Sequence, residues 1–134
     1  MELYIEDLSG QNNSFLKDFD VLVRYSQSAG IRPSIKAVNV EVVNLDEFVR
    51  VRGIRPHFIK IDVEGFEGEV LRGAESVIRE HRPKLMVEVH PTPTNQEKVF
   101  QILSDCRYTM ITPSFRRITQ PDQLESNIFC LPAG

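Results

Sequence analysis

Hydrophobic and polar positions follow two patterns along this chain, and the change between them comes near residue 58. The first part holds short apolar runs between polar loops, which predicts β-strands at LYIED, VLVRY and IKAVNVEVV. In the third run Val38, Val40 and Val42 alternate with polar residues, as in a half-exposed antiparallel strand. We therefore expect residues 1–57 to form a β-rich lead-in.

One helix is predicted at the end of this lead-in, over NLDEFVRVRG. Asn44 is followed three residues later by Glu47, which is the spacing of a capping box at a helix start. Gly53 supplies the stop signal, because glycine readily takes the left-handed conformation that ends many helices.

Residues 58–134 have the pattern βαβαββ. FIKIDV and KLMVEVHP predict strands, and FEGEVLRGAESVIREH between them has its apolar residues on one face of a single helix. A second helix is predicted over NQEKVFQILSDC, opened by Thr94 and Glu97 as a capping box, and RYTMIT and SNIFCLP predict two closing strands. A strand–helix–strand run implies a right-handed crossover and a parallel pair. We expect an open α/β fold in a single domain covering residues 1–134.

Composition and charge narrow the classes of protein. The 134 residues carry a net charge of −3, which argues against a broad basic surface for nucleic acid. No apolar run approaches the ~20 residues of a membrane span, and no signal-peptide pattern opens the sequence. We therefore expect a cytoplasmic protein without a membrane partner. Cys106 and Cys130 lie among apolar neighbours and are interpreted as buried free thiols.

Polar side chains occur where the first two strands of the second part end. Asp62 and Glu64 follow one strand, and Glu88 and His90 follow the next. Each pair has the spacing i, i+2, which places both members on one face of a regular strand. Because ligands in open α/β sheets bind outside the carboxyl ends of strands, these four residues are our candidate catalytic group. Lys60 is the candidate partner of Glu88.

The turn after the first of these strands is acidic. Glu67 and Glu69 follow Asp62 and Glu64, and the glycines do not have the G-x-G-x-x-G spacing of a dinucleotide loop. Several carboxylates would repel a phosphate, so the turn suits a sulfonium, a divalent metal, or an amine or hydroxyl whose proton must leave. Glu67 and Glu69 are interpreted as acids that complement the helix dipole.

These motifs resemble those of the FkbM-type methyltransferases, which use S-adenosylmethionine. The matching runs are NLD at 44–46, IKIDVEG at 59–65, VLRGA at 70–74 and RPKLMVEVH at 82–90. The resemblance implies a Rossmann-like methyltransferase fold in which FIKIDV and KLMVEV are strands four and five of seven. It also implies O-methyl transfer to a small-molecule hydroxyl acceptor such as a sugar or natural product. Asp62 and Val63 would face the cofactor.

The resemblance covers the C-terminal half of the family's fold. The only glycines before Gly53 are Gly10 and Gly30, neither of which forms the acidic-x-Gly-x-Gly loop that holds the cofactor in the family. The expected fold is therefore truncated, with strand four as a new sheet edge that must be covered. The lead-in, a homodimer or a complementing N-terminal half would cover it.

Three hypotheses for function remain open from the sequence. The first is a methyltransferase in which Asp62 positions or deprotonates the acceptor, with His90 or Glu88 assisting. The second is a non-enzymatic half-domain that binds a partner, which the absent glycine loop favours. The third, ranked lower, is a metal-dependent hydrolase or lyase with a divalent ion between Asp62 and Glu88.

Overall fold

The computed structural model describes residues 1–6, 13–15 and 34–134. Its strands are β1 (Glu2–Glu6), β2 (Ile35–Asn39), β3 (Phe58–Ile61), β4 (Lys84–Glu88), β5 (Tyr108–Ile111), β6 (Arg117–Ile118) and β7 (Asn127–Pro132). Its helices are α1 (Leu45–Arg52), α2 (Glu67–Arg72), α3 (Glu75–His81) and α4 (Pro93–Asp105), and a short 3-10 turn covers Pro121–Gln123.

Five strands form one mixed sheet in the order β3-β4-β7-β5-β6. β3 and β4 are parallel, as the strand–helix–strand pattern predicted. β7 lies between β4 and β5 and is antiparallel to both. β5 and β7 are the two closing strands predicted from RYTMIT and SNIFCLP. β6 was not predicted, because it is only two residues long and lies in a polar loop. The architecture is α/β.

The lead-in is less regular than its sequence pattern suggested. β1 and β2 pair with each other in a separate two-stranded sheet. All five residues of β2 are exposed, and the strand ends at Asn39, so the prediction of a half-exposed strand through Val43 was wrong. An alternating pattern buries one face only where a second layer covers it. The predicted strand VLVRY lies outside the described residues. Among the described strands, β3 pairs with β4 alone.

The single helix predicted between β3 and β4 is two helices, α2 and α3, separated at Gly73 and Ala74. A distant side chain caps the second of these helices. The Asp46 carboxylate accepts the backbone N–H groups of Ser76 (3.0 Å) and Val77 (2.9 Å), the first turn of α3. The Asp46 N–H in turn donates to the carbonyl of Gly73 at 2.9 Å. Local periodicity carries no sign of this long-range cap.

The boundaries of α1 were predicted correctly, whereas the start of α4 was not. Asn44 caps α1, accepting the N–H groups of Asp46 and Glu47. Helix α4 begins at Pro93, two residues earlier than predicted, and its cap is Thr92. Proline suits the first helical position, because its missing N–H would have no partner inside the helix.

The core lies between the mixed sheet and the helices. Its fully buried side chains include Leu71, Ile78, Leu85, Leu103 and Ile128. Cys106 and Cys130 are free and buried, as predicted. Burial raises the pKa of both thiols, that of Cys130 to about 12, so neither is an activated nucleophile. No helix in the described part of the chain is long and apolar enough to cross a membrane.

Arg82 links the C-terminal strand to the helices through hydrogen bonds. It ends α3 in the left-handed conformation (φ 52°), and its guanidinium donates to the carbonyls of Cys106 (2.5 Å), Arg107 (2.9 Å) and Ala133 (3.0 Å). The same guanidinium lies 4.8 Å from the ring centroid of Tyr108. Arg82 thus links the end of α3, the end of α4 and the segment after β7.

The contact between α2 and α4 is close enough to test. A Cβ on Gly68 would lie 3.0 Å from Lys98 Cβ, an atom fixed to the α4 backbone. We expect Gly68→Ala to lower the free energy of unfolding by about 1–3 kcal/mol, because the two helices must move apart. Gly73→Ala is the matched control, since its nearest contact is 3.6 Å. Urea unfolding measures both, and equal stabilities would contradict this packing.

Candidate functional site

The candidate site lies where the parallel strands β3 and β4 end at the same edge of the sheet. β3 stops at Ile61, and the chain then turns through Glu64 (φ 52°) and Gly65 (φ 92°) into α2. Positive φ costs a non-glycine residue energy, so surrounding contacts must hold Glu64 in this conformation. The Ser14 hydroxyl, which donates to the Glu64 carbonyl at 2.8 Å, is one of them.

His90 lies between two carboxylates. Its Nε2 is 2.7 Å from Glu64 Oε2, and its Nδ1 is 3.0 Å from Glu67 Oε1. The side chains of His90 and Glu64 are 15% and 19% exposed, whereas that of Glu67 is 0% exposed. The row therefore runs from the interior to the mouth of the site in the order Glu67, His90, Glu64.

Glu67 is the buried end of this row, and its carboxylate has several donors. The Gly65 N–H donates to Oε1 at 2.8 Å, and Asn95 Nδ2 donates to Oε2 at 2.6 Å. His90 Nδ1 is the third contact. A buried carboxylate is stable only with such partners, so these contacts explain how a charge is held in the core.

Asn95 sets the geometry from the start of α4. Its Oδ1 accepts the N–H of Gly68 at 3.4 Å, which orients the amide so that Nδ2 faces Glu67. Nδ2 also donates to the carbonyl of His90 at 3.1 Å. Asn95 thereby joins α2, α4 and the segment after β4 around one carboxylate.

The three titratable groups are strongly coupled. Burial would raise the pKa of Glu67, but hydrogen bonds from His90, the Gly65 N–H and Asn95 outweigh it and lower that pKa. The hydrogen bond to Glu67 raises the pKa of His90. Burial raises the pKa of Glu64, and repulsion from nearby carboxylates adds to it against the attraction of His90. Because Glu64 Oε2 and His90 Nε2 are 2.7 Å apart, one proton can be shared between these two groups.

The other sequence candidates lie around this row. Asp62 is exposed, and its carboxylate binds Lys60 Nζ at 2.9 Å, an interaction that raises the pKa of Lys60. Lys60 makes its direct ion pair with Asp62, and Glu88, the partner expected from the sequence, acts on Lys60 only as a weaker charge attraction. Asp62 and Glu64 have different partners because β3 ends before them. Glu88 ends β4 half-buried, and Val63 packs its side chain against the core.

The arrangement of the side chains does not support the hypothesis of a metal-dependent hydrolase or lyase. Within the described ranges, no three His, Cys, Asp or Glu side chains come together in a way that would hold a metal ion. The physical reason is that potential ligands bind each other or a cation: His90 uses both ring nitrogens on carboxylates, and Asp62 binds Lys60.

Two residues of the site were missed in the sequence. Glu67 was interpreted only as an acid that complements the helix dipole; it does lie in the first turn of α2, but its side chain is fully buried. Glu69, its neighbour in the same turn, does lie at the surface and binds Lys98 at 2.7 Å. Asn95 had no distinguishing signal, since a polar residue near a helix start is common.

A comparison with protein-family models identifies the family of this chain. The family model for the methyltransferase FkbM domain matches residues 2–110. The crystal structure of the methyltransferase FkbM from Methylobacillus flagellatus KT is similar at 25% sequence identity and a TM-score of 0.47. The similarity covers 83% of this chain but 32% of that one, so this chain spans about a third of its length. A comparison with curated protein sequences found no significant match.

The raised pKa of His90 predicts how stability depends on pH. Its charged form is favoured by folding, so this stabilisation is complete below the unfolded pKa of about 6.5 and is lost as pH rises through the higher folded value. We expect His90→Gln to cost about 1.5–3 kcal/mol of unfolding free energy at acidic to neutral pH and less in alkali. Urea unfolding of both proteins across pH measures this, and a cost independent of pH would contradict the ion-pair row.

Proposed function

Because this chain belongs to the FkbM methyltransferase family, we propose that it takes part in S-adenosylmethionine-dependent methyl transfer to the hydroxyl of a small molecule, such as a sugar or another natural product. The observation that carries this proposal is the Glu64–His90 pair at the carboxyl ends of β3 and β4, with the acidic residues Asp62 and Glu88 beside it. A hydroxyl acceptor must lose a proton during methylation, and this pair is placed to receive it.

The charges around the mouth fit a cationic cofactor. Asp62, Glu64 and Glu88 place carboxylates where a sulfonium would be attracted and a phosphate repelled. Asp62 is the residue we assign to the charged part of the cofactor, with the backbone of Val63 beside it. When bound, S-adenosylmethionine supplies a methyl group that is already activated for transfer. Gly10 and Gly30 lie outside the described residues, and we assign no residue to the adenosine part.

Glu64 is the proposed proton acceptor. When an acceptor hydroxyl is methylated, its proton would pass to the Glu64 carboxylate. Its raised pKa makes it a stronger base than an ordinary carboxylate. His90 holds the Glu64 carboxylate in place through Nε2. Asp62 is less suited to this role, because Lys60 already binds its carboxylate.

We further propose that the mixed sheet corresponds to strands four to seven of a Rossmann-like methyltransferase fold. The parallel β3–β4 pair and the antiparallel pair of β5 and β7 support this assignment. Along the described residues, the outer edge of β3 has no paired strand. A complementing N-terminal half or a second copy of this chain would then supply the rest of the cofactor site.

The proposed role of Asp62 in cofactor recognition is tested by comparing a ligand that carries the sulfonium charge with one that does not. S-Adenosylmethionine carries a sulfonium that S-adenosylhomocysteine lacks, so calorimetry should show tighter binding of the former. We expect Asp62→Asn to narrow the ratio of the two dissociation constants by about 1.4- to fivefold, as for a partly exposed ion pair worth ~0.2–1 kcal/mol. Glu80→Gln, an exposed acid on α3, is the control. Absence of binding at millimolar cofactor would instead favour the partner-binding hypothesis.

The proposed role of Glu64 as proton acceptor is tested by substitution. Transfer of a labelled methyl group to a panel of hydroxyl compounds measures activity, with any complementing half or partner present. We expect Glu64→Gln to lower kcat about 10²- to 10⁴-fold, the contribution of a positioned general base. Cofactor binding should be reduced far less. Full activity in Glu64→Gln would rule out its role as the proton acceptor.

A further inference from the structure

The hydrogen-bond directions around Glu67 determine where the proton of His90 lies. The Gly65 N–H can only donate, and it donates to Glu67 Oε1. Asn95 Nδ2 also donates, because the opposite end of that amide accepts the Gly68 N–H. A carboxylate with two fixed donors is most stable as an anion, and its remaining contact, His90 Nδ1, must then be a donor as well.

We propose that Glu67 is a positioning residue for His90: it holds a hydrogen on Nδ1, so that Nε2 is the nitrogen that exchanges a proton with Glu64. Nε2 lies 2.7 Å from Glu64 Oε2, within reach for that exchange. Its relevance to methyl transfer depends on the proposed function, but the hydrogen on Nδ1 does not.

The burial gradient supports this division of roles. Glu67 is fully buried and cannot reach an acceptor, whereas Glu64 is partly exposed at the mouth. Glu67 can therefore act only through His90. The same arrangement, a buried carboxylate that holds one imidazole nitrogen while the other does chemistry, is a general way to fix a histidine tautomer.

Within the part of the chain that the structure describes, the charged groups that face His90 come from three elements. Glu67 lies on α2, Glu64 in the turn after β3 and Glu88 at the end of β4. Helix α4 contributes Asn95, which is neutral and contacts the His90 backbone. Among these, Glu67 and Glu64 make direct contacts with the ring, each with a different nitrogen. Each carboxylate can thus be removed separately and its effect on the ring observed.

The first test uses the full chain without any ligand. Nitrogen-15 NMR of the His90 ring, recorded at a pH above its titration, shows which nitrogen keeps its hydrogen. We expect the Nδ1–H form, the less common one for a free histidine side chain. An Nε2–H form would overturn the proposal. Because this measurement needs no substitution, it decides the matter even if a variant fails to fold.

The second test compares two substitutions in one helical turn. Glu67→Gln keeps the shape but removes the charge, so the titration of His90 should move to lower pH. Glu69→Gln is the matched control, because Glu69 binds Lys98 and does not contact His90. An unchanged His90 titration in folded Glu67→Gln, or an equal change in both variants, would overturn the proposal.

Activity then separates this proposal from the proposed function. In an active assembly, Glu67→Gln should lower kcat, by up to the ~10²- to 10⁴-fold of a positioned acid–base group, with the acceptor KM little changed. If no methyl transfer occurs although Nδ1 carries the hydrogen, the positioning role stands and the proposed function fails. If methyl transfer occurs with Nε2 carrying the hydrogen, the positioning role fails and the proposed function stands.

Discussion

The site depends on the burial of one carboxylate, that of Glu67. A charge inside a protein costs several kcal/mol unless donors surround it, and here they come from separate parts of the chain. The turn after β3 supplies the Gly65 N–H, the segment after β4 supplies His90, and α4 supplies Asn95. Gly65 is two residues from Glu67 in sequence, whereas His90 and Asn95 are 23 and 28 residues away. The Glu67 charge is therefore fully hydrogen-bonded only when this edge of the sheet is correctly folded.

This constraint divides the site into an inner and an outer part. The inner part, Glu67, His90 and Asn95, is packed and fully hydrogen-bonded, which favours a single geometry. The outer part, with Asp62 and Lys60, is solvent-exposed and can adjust to a ligand. Glu64 lies between them, with its backbone held in the left-handed region and its side chain on His90. The site thus combines a rigid interior with an adaptable rim.

The sequence predicted the part of this arrangement that follows from local pattern. The strand ends after FIKIDV and KLMVEV placed Glu64 and His90 near each other, and the structure confirms that contact. The sequence could not show that Glu67 is buried and Glu69 is not, because two acids in a first helical turn look alike until the packing of α4 is known. The same holds for Asp46, whose capping of α3 joins positions 30 residues apart. Long-range hydrogen bonds of this kind produce no periodic pattern of hydrophobic and polar residues in the sequence.

The reactivity of the two buried thiols can report how the folded chain opens. Cys130 lies on β7, with β4 on one side and β5 on the other, so a thiol reagent reaches it only when the centre of the sheet separates. Cys106 follows the last residue of α4, where loosening of a helix end is enough. Their two reaction rates would therefore distinguish separation of the whole sheet from local fraying, in a molecule that carries no tryptophan to report either event.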